Sequence, residues 1–257
     1  MIRGLYTAGA GMMLQMARQD VVANNLANVN TSGFKKNTAV AKAFPDMLIS
    51  RLGECKEDLQ GQLKVQAPVV IGRLGTGASI SGIYTDFDNN NLEKTGSPCD
   101  LAITGAGYFA IQTPEGQRFT RCGEFKINSE GILTTNSGYA VLDSNDSPIT
   151  IEGEFLIDEQ GNININGENI ARLKIVNFND LQVMERLGDN LLNSPEEPYV
   201  MERPEILQGY IEQSNVNAVK EMVTLISVVR AYESLQKMVQ AEDEIMGQAI
   251  EKVGSIN

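Results

Sequence analysis

The reactive side chains of this 257-residue chain are three cysteines and a scatter of carboxylates, with no histidine to work beside them. Histidine is the commonest general base near neutral pH and the commonest metal ligand, so two kinds of chemistry are missing at once. Cys55, Cys99 and Cys122 are widely spaced, form no CxxC pair and are odd in number. They suit neither a zinc site nor a disulfide framework. We read them as unpaired thiols, with Cys55, in a polar stretch, the most reactive. A serine nucleophile without histidine needs a lysine base, and no Ser-x-x-Lys stands in a suitable setting.

The loop-like motifs fail in turn. "DFDNNNLEKTGS" opens as a calcium loop would, with Asp86, Asp88 and Asn90. Such a loop needs glycine at its sixth position and glutamate at its twelfth, where this chain has Asn91 and Ser97. "GAGYFA" lacks the third glycine of a dinucleotide fingerprint and leads into a strand, and "GRLGTG" lacks the Lys-Ser/Thr of a phosphate loop. Asp100 reads as a turn cap at a strand start. The pairs Asp158-Glu159 and Asp243-Glu244 read as solvated carboxylates. We therefore expect no catalytic residue, no cofactor and no metal. A net charge of -12 repels nucleic acid and anionic membranes. No run reaches the ~20 apolar residues of a membrane span. The apolar start MIRGLYTAGAGMML lacks a small-residue cleavage site and reads as mature protein.

The elements are clearer than the motifs. Apolar residues recur at helical spacing at Ile2, Leu5, Met12, Met16, Ala23 and Leu26, in a pattern weakened by Gly4, Gly9 and Gly11. A stronger stripe runs through Leu225, Val228, Tyr232, Leu235, Val239, Glu242, Met246, Ala249, Val253 and Ile256. Alternating steps of three and four make it a coiled-coil seam. Ser214 or Asn215 is offered as its N-cap. A helix of ~40 residues is ~60 Å long. A second stripe at Met222, Ile226, Val229, Met238, Ala241 and Ile245 widens the apolar face. One reading is a bundle helix within a monomer; the other is a helix made for partners.

Between the ends, short apolar runs alternate with turns such as Pro114-Glu115-Gly116 and Asn136-Ser137-Gly138, the pattern of an antiparallel β domain. The expected class is α+β. Residues 1–33 and 210–257 form a discontinuous helical coiled-coil domain, 34–77 an extended linker, and 78–205 an inserted, mostly antiparallel β domain. The stretch "VVANNLANVNTSGFKK" is unusual. Helix termination explains Asn28 to Gly33, but not the Asn24-Asn25 pair further inside.

Three segments carry a resemblance. "ANNLANVNTSGFKK", "TGSPCDLAITGAGYFAIQTPEGQRFTRCGEFKINSEGILTTNSGYAVL" and "QGYIEQSNVNAVKEMVTLISVVRAYESLQKMVQAEDEIM" resemble the axial proteins of the bacterial flagellum, most closely the basal-body rod subunits. The resemblance implies terminal helices paired in an inner domain around the channel, and a β domain outside. It implies a structural subunit that polymerises helically, transmits torque, and passes unfolded through the flagellar export apparatus to the basal body. Implied partners are the chain itself and other rod and hook subunits, with no nucleic acid and no membrane insertion. The interface residues it suggests are Asn24, Asn25, Leu26 and Asn28 in the first helix, and Leu225, Val228, Tyr232, Leu235, Val239 and Met246 in the last. The asparagines would hydrogen-bond to neighbouring subunits or to the C-terminal helix near "SNVN", setting register; otherwise they are a fraying helix end. Cys99 and Cys122 depart from the family pattern, where Leu and Asp or Asn would stand. "TDFDNNNLEKTGSPCDLAI" inclines the match to the proximal over the distal rod. A hook subunit is the alternative within the family. A glycan-binding or hydrolytic β domain with a coiled-coil tail is the alternative outside it.

Overall fold

The computed structural model describes residues 2–51, 55–57, 63–65, 68–88, 91–165, 167–201 and 203–254. The fold is α+β, with a long helix at each end and mostly antiparallel strands between. Contacts divide the chain into two compact units. One holds residues 1–23, 39–83 and 222–257, and the other holds 24–38 and 84–221.

In the first unit, helix α1 (Ile2–Ala27) and helix α2 (Ala218–Gly254) run antiparallel. A Cβ built on Gly4 would lie 2.7 Å from the Glu242 carboxylate, and one on Gly11 would lie 3.1 Å from a Leu235 methyl. Seven residues forward in α1 are thus seven residues back in α2. Gly4, Ala8, Gly11, Gln15, Arg18 and Val22 of α1 are buried or half-buried. Of the expected apolar stripe, Leu5, Met12 and Leu26 are half-buried, while Met16 and Ala23 are exposed.

On α2, Val228 is buried and Leu225, Tyr232, Leu235, Val239, Glu242, Met246 and Ala249 are half-buried. The Val253 side chain and Ile256 lie outside the described residues. Of the second stripe, Met222, Ile226, Met238, Ala241 and Ile245 are exposed and Val229 is half-buried. The N-cap is Asn217, whose Oδ1 accepts the Lys220 N–H at 3.0 Å. Neither Ser214 nor Asn215 serves, because Ser214 Oγ accepts the Val216 N–H in a turn and Asn215 is engaged elsewhere.

Residues 34–77, expected as an extended linker, carry most of a long two-stranded ribbon. Its strands are β1 (Asn37–Ala43), β2 (Met47–Arg51), β3 (Cys55–Glu57), β4 (Leu63–Val65), β5 (Val69–Leu74) and β6 (Ala78–Thr85). They pair as nested layers, β3 with β4, β2 with β5 and β1 with β6. Val69, Val70, Ile71, Met47 and Leu48 are exposed. β2 and β5 are exposed at nearly every residue, so no alternation of apolar and polar residues is needed there, whereas β1 and β6 alternate half-buried and exposed residues. A bulge between Ile49 and Ser50 shifts the register further. At the ribbon's base Gly77, at φ +125°, lets the backbone close on α1, since a Cβ there would meet Ala10 at 3.1 Å.

The second unit is built around the central strand β9, preceded by β7 (Leu92–Lys94) and β8 (Leu101–Ile103). β9 (Tyr108–Thr113) pairs along one edge with β10 (Gly116–Thr120). Its other edge pairs with Ala140–Val141 and Ile175–Asn177. Both faces of β9 are buried. Period two then splits its side chains between two cores. Phe109 and Ile111 join one with Phe125, Leu133 and Ile163. Tyr108 and Ala110 join the other with Phe119 and Phe178. Edge-to-face ring pairs lock each, Phe109 on Phe125 at 5.1 Å and Phe119 on Phe178 at 4.9 Å. The C-terminal strands Ile206–Gln208 and Tyr210–Glu212 pair with β8 and β7. This pairing carries the unit beyond the 78–205 span expected for it.

Candidate functional site

Three stretches distant in sequence meet inside the second unit. They are the turn Ser32–Lys36 after α1, the strand end at Arg121, and the segment Glu212–Glu221 leading into α2. Gly33 seats the first. Its N–H donates to the Glu212 carbonyl at 2.8 Å, and its φ is +68°. A Cβ there would fall 2.6 Å from the Arg121 carbonyl carbon, so only glycine fits.

At the centre is the Glu212 carboxylate, which is 2% exposed. One oxygen accepts Lys35 Nζ at 2.6 Å and the other accepts Arg121 Nε at 2.5 Å. Lys35 also donates to the Asp88 carbonyl at 2.7 Å. The Arg121 guanidinium donates to the carbonyls of Ile103 at 2.8 Å, Gly105 at 2.6 Å and Gly107. Burial works against the Glu212 charge, but Arg121 and the Lys35 hydrogen bond outweigh it and hold the carboxyl below its usual range. Burial pushes the Lys35 ammonium down, with Glu212 opposing. Two buried cations on one carboxylate, with carbonyls around the rest, satisfy the condition under which buried charge is tolerated.

The neighbouring residues extend the junction. Lys36 Nζ reaches the buried Glu221 at 2.5 Å, and its N–H donates to Asn215 Oδ1 at 2.6 Å. Ser32 Oγ donates to Glu124. Arg186 donates to the Lys35 carbonyl and stacks 4.8 Å over the Phe34 ring. A cleft of about 190 Å³ beside the junction is lined by Lys35, Asp88, Tyr108, Arg121 and Asn177. The junction clamps backbone segments together.

The Asn25 and Asn28 side chains have partners in the chain. Asn25 is 1% exposed. Its Nδ2 donates to the Asn37 carbonyl at 2.8 Å, and its Oδ1 accepts the Asn37 N–H at 2.9 Å. The side-chain amide thus copies a strand neighbour and caps the start of β1. Asn28 Nδ2 donates to the Asn24 carbonyl at 2.9 Å, as a helix-end residue does. Asn24 is exposed, and Leu26 is half-buried. Of the C-terminal set, Val228 is buried, Leu225, Tyr232, Leu235, Val239 and Met246 are half-buried, and Leu235 lies opposite Gly11 of α1. Sequence reading missed Lys35, Arg121 and Glu212. The available signal was the basic pair after Ser32-Gly33, which no helix end requires. Cys99 and Cys122 are free thiols. Among the described residues, no three His, Cys, Asp or Glu side chains gather to hold a metal, and no helix is long and apolar enough to cross a membrane.

Three family models match the chain. They are Flagella basal body rod protein over residues 5–35, Flagellar hook protein FlgE/F/G D1 domain over 102–175, and Flagellar basal body rod FlgEFG protein C-terminal over 207–251. Each of the three supplies one member of the charge cluster: Lys35, Arg121 and Glu212. Flagellar basal-body rod protein FlgF of Caulobacter vibrioides is 34% identical, with both chains covered in full. Flagellar basal-body rod protein FlgG of Buchnera aphidicola is 32% identical over 96% of this chain and 98% of its own. Flagellar hook-basal body complex protein FlhO of Bacillus subtilis is 29% identical, again with full coverage of both.

Proposed function

This chain belongs to the flagellar basal-body rod proteins, and on that premise we propose how it serves as a structural subunit of the rod. Copies stack helically through their terminal helices and transmit torque, in contact with other rod and hook subunits. The flagellar export apparatus delivers the chain. The coiled coil is a composite, with α1 and α2 of one chain forming the first seam and neighbouring subunits covering the rest. No step of bond-making is involved. The relatives lend no support to a glycan-binding or hydrolytic β domain.

One observation carries this reading. α2 has two apolar stripes, and its own chain covers only the first. Met222, Ile226, Met238 and Ile245 stay 45–54% exposed. An uncovered apolar face of this length on a helix marks a docking surface. The test is Ile226→Asp with Ile245→Asp. The purified variant should match wild type in helix content and thermal unfolding, and cells carrying it should lack rods and motility. Normal swimming would overturn the assignment.

A further inference from the structure

We propose that Gly4 and Gly11 are sockets for Glu242 and Leu235, and that these two pairs set the register of the terminal helices.

Glycine in a helix interior is destabilising relative to alanine, and α1 carries three within its first three turns. They do not behave alike. A Cβ on Gly9 would meet nothing within 4 Å, while one on Gly4 or Gly11 would press on the facing α2 side chain. The two that face α2 are spaced seven apart, as are Glu242 and Leu235. Each α2 side chain therefore sits in a gap that a larger residue would close. Sliding one helix by a turn would drive Leu235 onto Ala8 or Gln15 and put Glu242 against another side chain. Packed seams have discrete arrangements for this reason.

Glu242 adds a charge. It is the one charged residue in its stripe, a place where burial of a carboxylate is unfavourable without compensation. α1 has no acidic residue in its first turn. The Glu242 carboxylate lies over that turn, where the exposed N–H groups make the helix end positive. Polar residues at single seam positions specify register in this way.

The consequence for assembly rests on the rod-subunit reading above. A fixed register aligns the exposed Tyr6, Met13 and Met16 of α1 with the exposed stripe of α2. The test of the sockets does not depend on that reading. In the full-length chain, Gly11→Leu should lower the thermal midpoint of the helical circular-dichroism signal. Gly9→Leu should leave it unchanged or raise it. Leu235→Ala alone should lower it, and Gly11→Leu with Leu235→Ala should recover at least half of the Gly11→Leu loss. Gly4→Leu should likewise be relieved by Glu242→Ala. If Gly11→Leu is as harmless as Gly9→Leu, or if the paired changes recover nothing, the sockets do not set the register.

Discussion

Glu212 and Arg121 stand 91 residues apart in sequence and meet at 2.5 Å, both almost fully withdrawn from water. Lys35 joins the same carboxylate from 177 residues away. A buried carboxylate shared by two cations is a poor source of net stability but a severe loss when broken. Glu212→Gln should therefore destabilise the second unit by about 3–5 kcal/mol, because it strands two buried positive charges. Chemical denaturation followed by tyrosine fluorescence or far-ultraviolet dichroism measures this. The triple change Glu212→Leu, Lys35→Met and Arg121→Met should recover much of the loss. A Glu212→Gln variant as stable as wild type would show that the charges are not buried together in solution.

The same carboxyl gives a pH signature. Glu212 titrates below its ordinary value of 4.5 in the folded chain. As pH falls, the unfolded chain takes up the proton first, so stability falls with it. The contribution is complete above about pH 4.5 and is lost as pH drops through the lowered folded value. Wild type should lose stability more steeply than Glu212→Gln over this acid range. Parallel acid limbs for the two would remove Glu212 from the account.

Gly33 is a harder constraint than its place after a helix suggests. Its positive φ alone disfavours any side chain, and the Arg121–Cys122 backbone fills the space a Cβ needs. Gly33→Ala should destabilise the second unit by more than about 2 kcal/mol, the combined cost of a strained φ and a displaced backbone. Gly138, also at positive φ but with open space beside it, is the control. Gly138→Ala should carry only the smaller conformational cost.

How much of this was legible depends on the range of the interaction. The half-buried stripe of α2 could be read because its residues recur every seven positions within one element. The alternating strands around β9 could be read for the same reason. On α1 the contacts at Gly4 and Gly11 were hidden because glycines look like helix breakers. The ribbon was hidden because its strands β2 and β5 are exposed on both faces. The charge cluster was out of reach altogether, since nothing local to Lys35 tells that its partner is Glu212. Asn25 lies between these cases. Its type was plainly odd for a helix interior, but its partner, the Asn37 backbone, follows only from the turn that Gly33 permits.

The cysteines should be slow rather than reactive where the structure describes them. Burial pushes the Cys122 thiol up to about 11, and burial with the nearby Asp100 raises Cys99. At pH 7.5 only a few thiolates per ten thousand would exist at Cys122, on the order of a hundredfold fewer than in a free thiol. Labelling with a maleimide, mapped by peptide mass, should therefore be slow at both positions in the folded chain and fast in urea. Rapid modification of Cys122 in the native protein would contradict its burial.

The two faces of α2 can be separated by neighbouring residues. Val239 lies on the half-buried stripe, whereas Met238 is 50% exposed on the other. An aspartate at Val239 would place a charge in the α1-facing seam and cost several kcal/mol in the isolated chain. An aspartate at Met238 would cost the isolated chain little, since its side chain already meets water. Val239→Asp should therefore lower the thermal midpoint of the helical signal, while the core around Phe109 and Phe125, made of other residues, keeps its own transition. Met238→Asp should leave both transitions where they are. In cells, both variants should abolish motility, one because the helix pair is disrupted and the other because the completed subunit cannot dock. If Met238→Asp swims normally, the second stripe is not a subunit contact. If Val239→Asp unfolds no differently from wild type, the first stripe is not covered by its own chain.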